Sequence, residues 1–179
     1  MNSSRCVIDT NVLIGASAVD LSSPSAHKAI PEDPVLRMKI WEWLNSFWRS
    51  DARLVLDHQW RIRREYNDNL NADFPDFGLL VVRHKWDTGA TDGVDVKYDV
   101  HGHAKLEPGL NKVVLDRSDR KFVAAALAAN TEFGECALAF AGDSDWRPIV
   151  ATLDANGLEM VDVIPEWVPR RLHRRTKKR

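Results

Sequence analysis

The stretch VIDTNVLIG, residues 7 to 15, sets Asp9, Thr10 and Asn11 inside an otherwise apolar run. Desolvating a carboxylate there is costly unless a cation or water meets it. Residues 5 to 8 read as a short buried strand and 11 to 19 as a short helix, so Asp9 stands where a strand gives way to a helix. A chain with such a junction needs a fold whose strand ends open onto a polar crevice.

The same alternation recurs downstream. After the turn-forming loop DLSSPSAHKAIPEDP, a helix begins at Pro34, a residue tolerated in a first helical turn, with Leu36, Ile40, Trp43, Leu44 and Phe47 on one face. Trp41 and Trp48 widen that apolar stripe, either as extra core contact or as a partner surface. RLVLD (53 to 57) is a β-rich run and HQWRIRREYNDNL (58 to 70) an amphipathic helix. FGLLVVRHKW (77 to 86) reads as a further strand, DTGATDG as a turn cluster, and VDVKYDVHGHAKL (94 to 106) as a β-hairpin around His101-Gly102. That hairpin is taken as an insertion covering about residues 87 to 109. DRKFVAAALAAN (119 to 130) is an Ala-rich helix, CALAFAG (136 to 142) a short apolar strand, DWRPIVATLDANG a helix closing at Gly157, and LEMVDVI (158 to 164) a last strand.

Strands separated by helices predict an α/β fold with a mainly parallel sheet covered on both faces, a three-layer sandwich. The 179 residues fit one domain, taken as 1–168, followed by a tail at 169–179. With 44% hydrophobic and 28% charged residues the chain is too apolar to be disordered. No apolar run approaches the roughly 20 residues that span a bilayer, and MNSSRCVIDT lacks the build of a signal segment, so a cytoplasmic protein without membrane contact is expected. Cys6 and Cys136 lie in strand-like runs and read as core thiols rather than a disulfide or zinc framework.

The net charge of -1 conceals an asymmetry. Arg170, Arg171, Arg174, Arg175, Lys177, Lys178 and Arg179 carry seven positive charges, which leaves -8 on the other 169 residues. An acidic body with a basic tail suits contact with a polyanion, although a solvated, solubilising terminus explains the tail equally well.

In a parallel α/β sheet, ligands bind beyond the carboxyl ends of the strands. Asp9, Asp57, Asp143 and Asp145 follow predicted strands, and Asp116 and Asp119 precede the Ala-rich helix. Helices there run antiparallel to the strands, so a helix N-terminus favouring an anion shares that edge. Taken singly, Asp119 and Asp145 could be N-caps, Asp143 a turn residue, Glu65 a surface charge and Asp57 a loop starter. Taken together, converging carboxylates imply a raised pKa or a cation. Oxygen donors select hard ions, so Mg²⁺ or Mn²⁺ is the expected cofactor, and such ions support hydrolysis of phosphodiesters. No H-E-x-x-H motif, phosphate-cradling Gly-rich loop or reactive Cys-His pair competes.

These residues resemble the PIN-domain nucleases. VIDTNVLI is similar to the family's opening strand and helix, with Asp9 as its first metal-binding acid and Thr10 and Asn11 as polar supports. DHQWRIRREYNDNL resembles the element that presents a helical Glu, here Glu65 followed by Tyr66. DRKFVAAALA places the third acid at Asp119, and AGDSDW the fourth at Asp143 with Asp145 as an accessory. The resemblance implies about five parallel strands and a Mg²⁺- or Mn²⁺-dependent endoribonuclease acting on RNA. Many small members are toxins held by an antitoxin, so an antitoxin or a defence role enters the expectations, as does a homodimer through the Trp-bearing helix. The loop at 20 to 33, the 87 to 109 insertion and the basic tail depart from the compact members.

On this reading Asp9, Asp119 and Asp143 organise one or two ions, and Glu65 orients or deprotonates the attacking water. Asp57, Asp116 and Ser144 stand as second-tier candidates. Arg117, Arg120 and Lys121 could neutralise flanking phosphates, and the tail could hold an RNA backbone. Trp146 either packs in the core or stacks on a base. The competing readings are a non-catalytic nucleic-acid-binding or scaffolding module of the same fold, a dehalogenase-like phosphatase whose required second acid is replaced here by Asn11, and a zinc site from His84, His101 and His103.

Overall fold

Strand β1 (Arg5–Ile8) is the centre of the sheet, and Cys6, Val7 and Ile8 have no exposed surface. In the computed structural model, which describes residues 3–71 and 76–169, four more parallel strands join it. They are β2 (Arg53–Asp57), β3 (Thr91–Val94), β4 (Ala137–Phe140) and β5 (Glu159–Asp162), in the order β3-β2-β1-β4-β5. The register pairs Cys6 with Leu54 on one side and with Ala137 on the other. Every residue of β4 is buried, as expected for a parallel strand covered on both faces.

The connections are α1 (Thr10–Ser17), α2 (Pro34–Arg49), α3 (Arg61–Asn69), α4 (Phe77–Asp87), α5 (Pro108–Val113), α6 (Arg120–Phe133) and α7 (Val150–Ala155). Helices α1, α2 and α4 pack on one another, while α6 lies over β1, β2 and β4 with α3 against it, giving three layers. The predicted α/β architecture therefore holds. Fully burying an aliphatic side chain such as Ile40, Leu44 or Leu138 contributes about 1.5–3 kcal/mol. Trp41 and Trp48 of α2 pack on Phe77 with ring centroids 5.5 and 5.7 Å apart, so the widened stripe is core contact. Buried Arg37 staples the loop before α2 by donating to the carbonyls of Pro31, Ala18 and Ala29.

Two sequence expectations need correction, and a third holds only in a shorter form. Residues 77 to 86 form helix α4, not a strand, because Gly78, Val81, Val82 and Lys85 are buried at helical spacing. A short apolar run with adjacent valines fits either periodicity, and here tertiary packing decides. Lys85, at the end of α4, is buried and donates to the carbonyls of Ser50 and Ala52 at 2.7 and 2.8 Å.

Thr91, Asp92 and Gly93, the end of the supposed turn cluster DTGATDG, join Val94 in the edge strand β3. Its poor β-formers are held by the ladder to β2 and by Asp92, which accepts from Arg5 Nε at 2.8 Å and Arg53 Nε at 2.9 Å. Residues 94 to 106 turn back on themselves around His101-Gly102 over a single antiparallel bridge, Tyr98 with Ala104, flanked by bonds from Asp99 N–H to His103 O at 2.9 Å and from Lys105 N–H to Lys97 O at 2.8 Å. The Asp99 carboxylate closes the turn, accepting from the N–H groups of His101 and His103 at 2.8 and 2.9 Å. The segment taken as an insertion thus contains a sheet strand followed by a loop.

Among the described residues no helix is long and apolar enough to cross a membrane. The basic tail, with all seven of its predicted phosphate-binding side chains, lies outside the described residues.

Candidate functional site

The chain leaves β1 for β2 and β3 on one side and returns to β4 and β5 on the other, so the order of connection reverses between β1 and β4. A crevice opens at such a switch point beyond the carboxyl ends of the strands. Asp9 follows β1 directly, and its backbone N–H extends the ladder to Ala139 O at 2.8 Å. Asp143 follows β4 after Ala141 and Gly142. Gly142 has φ +65, and a Cβ there would sit 2.2 Å from the Ile30 carbonyl oxygen, so only glycine allows the turn that presents Asp143.

Asp119 arrives from the third direction, immediately before α6, and its side chain makes no capping bond. It holds the N-cap position through its backbone carbonyl, but its carboxylate has no hydrogen bond to a described residue. Burial first, then the charges of Asp9, Asp116 and Asp143, push its pKa up to about 8, with Lys121 opposing. Asp9 is 3% exposed, and burial followed by the charge of Asp143 raises its pKa to about 7. Glu65 adds to that rise, while the Trp146 indole, donating Nε1–H to Asp9 Oδ2 at 3.3 Å, opposes it. Burial also raises Asp143, against the Asp145 N–H at 2.8 Å and the Asn11 amide at 3.2 Å. Three acids from three elements thus act on one another without a cationic partner bonded to any of them. Their protons belong to the cluster rather than to single residues.

Glu65 differs. Buried Tyr66 donates its hydroxyl to Ile8 O at 2.5 Å, which pins α3 to the end of β1 and turns Glu65 toward the site. Both Glu65 oxygens are then engaged, Oε1 by the Thr10 hydroxyl at 2.7 Å and Oε2 by the Lys121 ammonium. Among the described residues, no three His, Cys, Asp or Glu side chains are arranged to grip one ion as they stand. The donor set of Asp9, Asp119 and Asp143 nonetheless fits a hard divalent cation in chemistry: all oxygen, close enough to repel, and without an ion-paired cation.

A comparison of the sequence with protein-family models and with curated proteins finds no match in either.

The remaining candidates separate. Asp57 is 1% exposed and caps α3, accepting from the N–H groups of Arg61 at 3.0 Å and Ile62 at 2.8 Å and from the Tyr98 hydroxyl at 3.0 Å. It faces the fold, not the crevice. Asp116 closes its own turn on Ser118, which holds its pKa down, yet its charge still reaches Asp119 and Asp143. Asp145 and Ser144 are exposed, with a long 3.5 Å bond between them.

Arg120 is committed to the carbonyls of Val114 and Asn111 at 3.0 and 2.9 Å, and Lys121 to Glu65 and Ser118 O, whereas Arg117 is exposed. Trp146 is 1% exposed, so it is a core residue that supports Asp9 rather than a base-stacking surface. His84 lies edge-on to Trp48 in α4, away from the loop that carries His101 and His103. Sequence reasoning missed the indole bond to Asp9 and the Lys121–Glu65 pair, because neither partner stands near the other in the chain.

Proposed function

We propose that this chain is a Mg²⁺- or Mn²⁺-dependent phosphodiesterase of the PIN type, an endoribonuclease. The observation that supports it most is the trio Asp9, Asp119 and Asp143 at the switch point, with the pKa values of Asp9 and Asp119 pushed to about 7 and about 8 and no cation bonded to them. Carboxylates so perturbed in a crevice make a candidate functional site.

When bound, the divalent ion supplies a Lewis acid for the scissile phosphate and acidifies the attacking water. The chain's own residues do the rest. Asn11 and the Asp145 N–H orient Asp143, and Trp146 orients Asp9. With the Asp119 pKa pushed up to about 8 and that of Asp9 to about 7, the cluster shares a proton near neutral pH, and Asp9, Asp119 and Asp143 are the residues that would hold the ion. Glu65 positions Lys121, so its part is to place an ammonium at the crevice wall rather than to take a proton from water directly.

One observation favours a second reading, a non-catalytic nucleic-acid-binding module: Glu65 is already neutralised by Lys121. Incubating purified protein with labelled RNA and DNA oligomers in Mg²⁺, Mn²⁺ or EDTA separates the two. The nuclease reading expects metal-dependent RNA cleavage that Asp9→Asn and Asp143→Asn abolish. Cleavage that survives both substitutions overturns it, and binding without cleavage in any metal selects the second reading.

A further inference from the structure

A second cleft of about 320 Å³ adjoins the acidic crevice and shares Glu65 and Lys121 with it as a common wall. Its lining brings Arg61 and Arg64 of α3 to face Arg117 and Ser118 of the loop before α6, with His103 closing one side. Four permanent cations meet there against two acids, Glu65 and Asp68, and Glu65 is already paired with Lys121. This local excess of positive charge stands on a body that carries -8 outside the tail.

The cations are not equally free. Arg61 is held by stacking over the Tyr98 ring at 4.5 Å and by donating Nη1–H to Gly102 O at 3.3 Å. Gly102, at φ +85, permits that approach, since a Cβ there would lie 2.6 Å from Arg61 Nη1. Arg64, one helical turn on, and Arg117 make no side-chain hydrogen bond or ion pair with any described residue. Two uncommitted guanidinium forks converging on one cavity match the oxygens of a phosphate, which they can hold in bidentate fashion. The volume lies at the low end of ligand sites, where a single nucleotide unit fits.

We propose that this cleft is a phosphate subsite that seats the phosphate next to the scissile one on a single-stranded RNA, an inference that rests on the nuclease reading for its neighbour but not for its own ligand. The phosphate is either an internucleotide diester or a terminal monoester, and Arg64 and Arg117 are its principal ligands.

The test uses the full chain in EDTA, where the strand stays intact, and the anisotropy of a single-stranded RNA oligomer labelled at its 3′ end. Arg64→Gln and Arg117→Gln are compared with Arg49→Gln, a solvent-facing change outside the cleft, and thermal melts check that all three fold. Each cleft variant is expected to weaken binding about 5- to 10-fold and to flatten the dependence of log K on log salt by about one, whereas Arg49→Gln stays within about 2-fold of wild type. Cleft variants that bind like Arg49→Gln overturn the subsite.

The same RNA with a 5′-phosphate or a 5′-hydroxyl identifies the source. A preference for the phosphate that Arg64→Gln erases indicates a terminal monoester, and equal losses on both indicate a diester. Cleavage in Mn²⁺ is read separately. A wild type that never cleaves but loses affinity in the cleft variants keeps the subsite and removes the nuclease, while cleavage with unchanged KM in Arg64→Gln removes the subsite and keeps the nuclease.

Discussion

Replacing Asp9 by Asn keeps the side chain's shape and the oxygen that accepts from Trp146, and removes only the charge. Asp9 has its pKa at about 7 against an ordinary 3.8. A carboxyl whose pKa is raised by folding binds its proton more tightly in the fold. Its contribution is therefore complete below the unfolded pKa and is lost as pH rises from about 4 to about 7. At about 1.4 kcal/mol per pKa unit, ionising this buried group costs the fold about 4 kcal/mol by about pH 8.

Asn never ionises. In EDTA, Asp9→Asn should exceed the wild type by about 1–2 kcal/mol at about pH 5 and by about 4 kcal/mol at about pH 8. Urea denaturation at the two pH values, analysed with a common m-value, reads the difference. Adding Mn²⁺ at the higher pH should then close more than half of that gap, because an ion at about 100 times its Kd stabilises only the protein that binds it, by about 2.7 kcal/mol. A variant less stable than wild type by the same amount at both pH values would refute the reasoning, since the Asp9 carboxylate would then have a stabilising partner.

Trp146→Phe removes the bond that holds the Asp9 pKa down, so that pKa should climb and the pH at which Mn²⁺ affinity is half-maximal should move upward; an unmoved midpoint in a pH series of Mn²⁺ titrations counts against it. Gly142→Ala forces a side chain onto the Ile30 carbonyl at a positive φ and should cost about 2–4 kcal/mol in a thermal or chemical melt, with Mn²⁺ affinity falling alongside because Asp143 shifts. Asp57→Ala orphans two N–H groups and the Tyr98 hydroxyl and should cost about 2–4 kcal/mol, yet leave Mn²⁺ affinity of the folded protein unchanged; a loss of metal binding at full folding would return Asp57 to the site.

Asp9 was legible in the sequence because a lone acid between apolar runs has few structural uses, and Asp143 because it follows a short apolar strand of the same kind. The parallel order made them neighbours, as the alternation of strands and helices implied. The errors fell where local pattern and tertiary packing disagree. Residues 77 to 86 hold a short apolar run with adjacent valines but a helical burial spacing, and Thr91–Val94 has turn composition yet is held as a strand by Arg5 and Arg53 bonding to Asp92. Asp57 shows the same limit among the acids: its place after β2 looks like that of Asp9, and only the direction of its carboxylate, toward the first N–H groups of α3, sets it apart. The engagement of Glu65 by Lys121, 56 positions along the chain, depends on α3 packing against α6, which no local signal encodes.

The central claim is that Asp9, Asp119 and Asp143 form one coupled carboxylate cluster that gathers a divalent cation. Electron paramagnetic resonance titration of Mn²⁺ at about pH 8, above the raised pKa of Asp9 and level with that of Asp119, tests it directly. Saturable binding in the wild type, lost or weakened at least about tenfold by each of Asp9→Asn, Asp119→Asn and Asp143→Asn, is the result expected. Absence of saturable binding, or binding that all three substitutions leave intact, would contradict it.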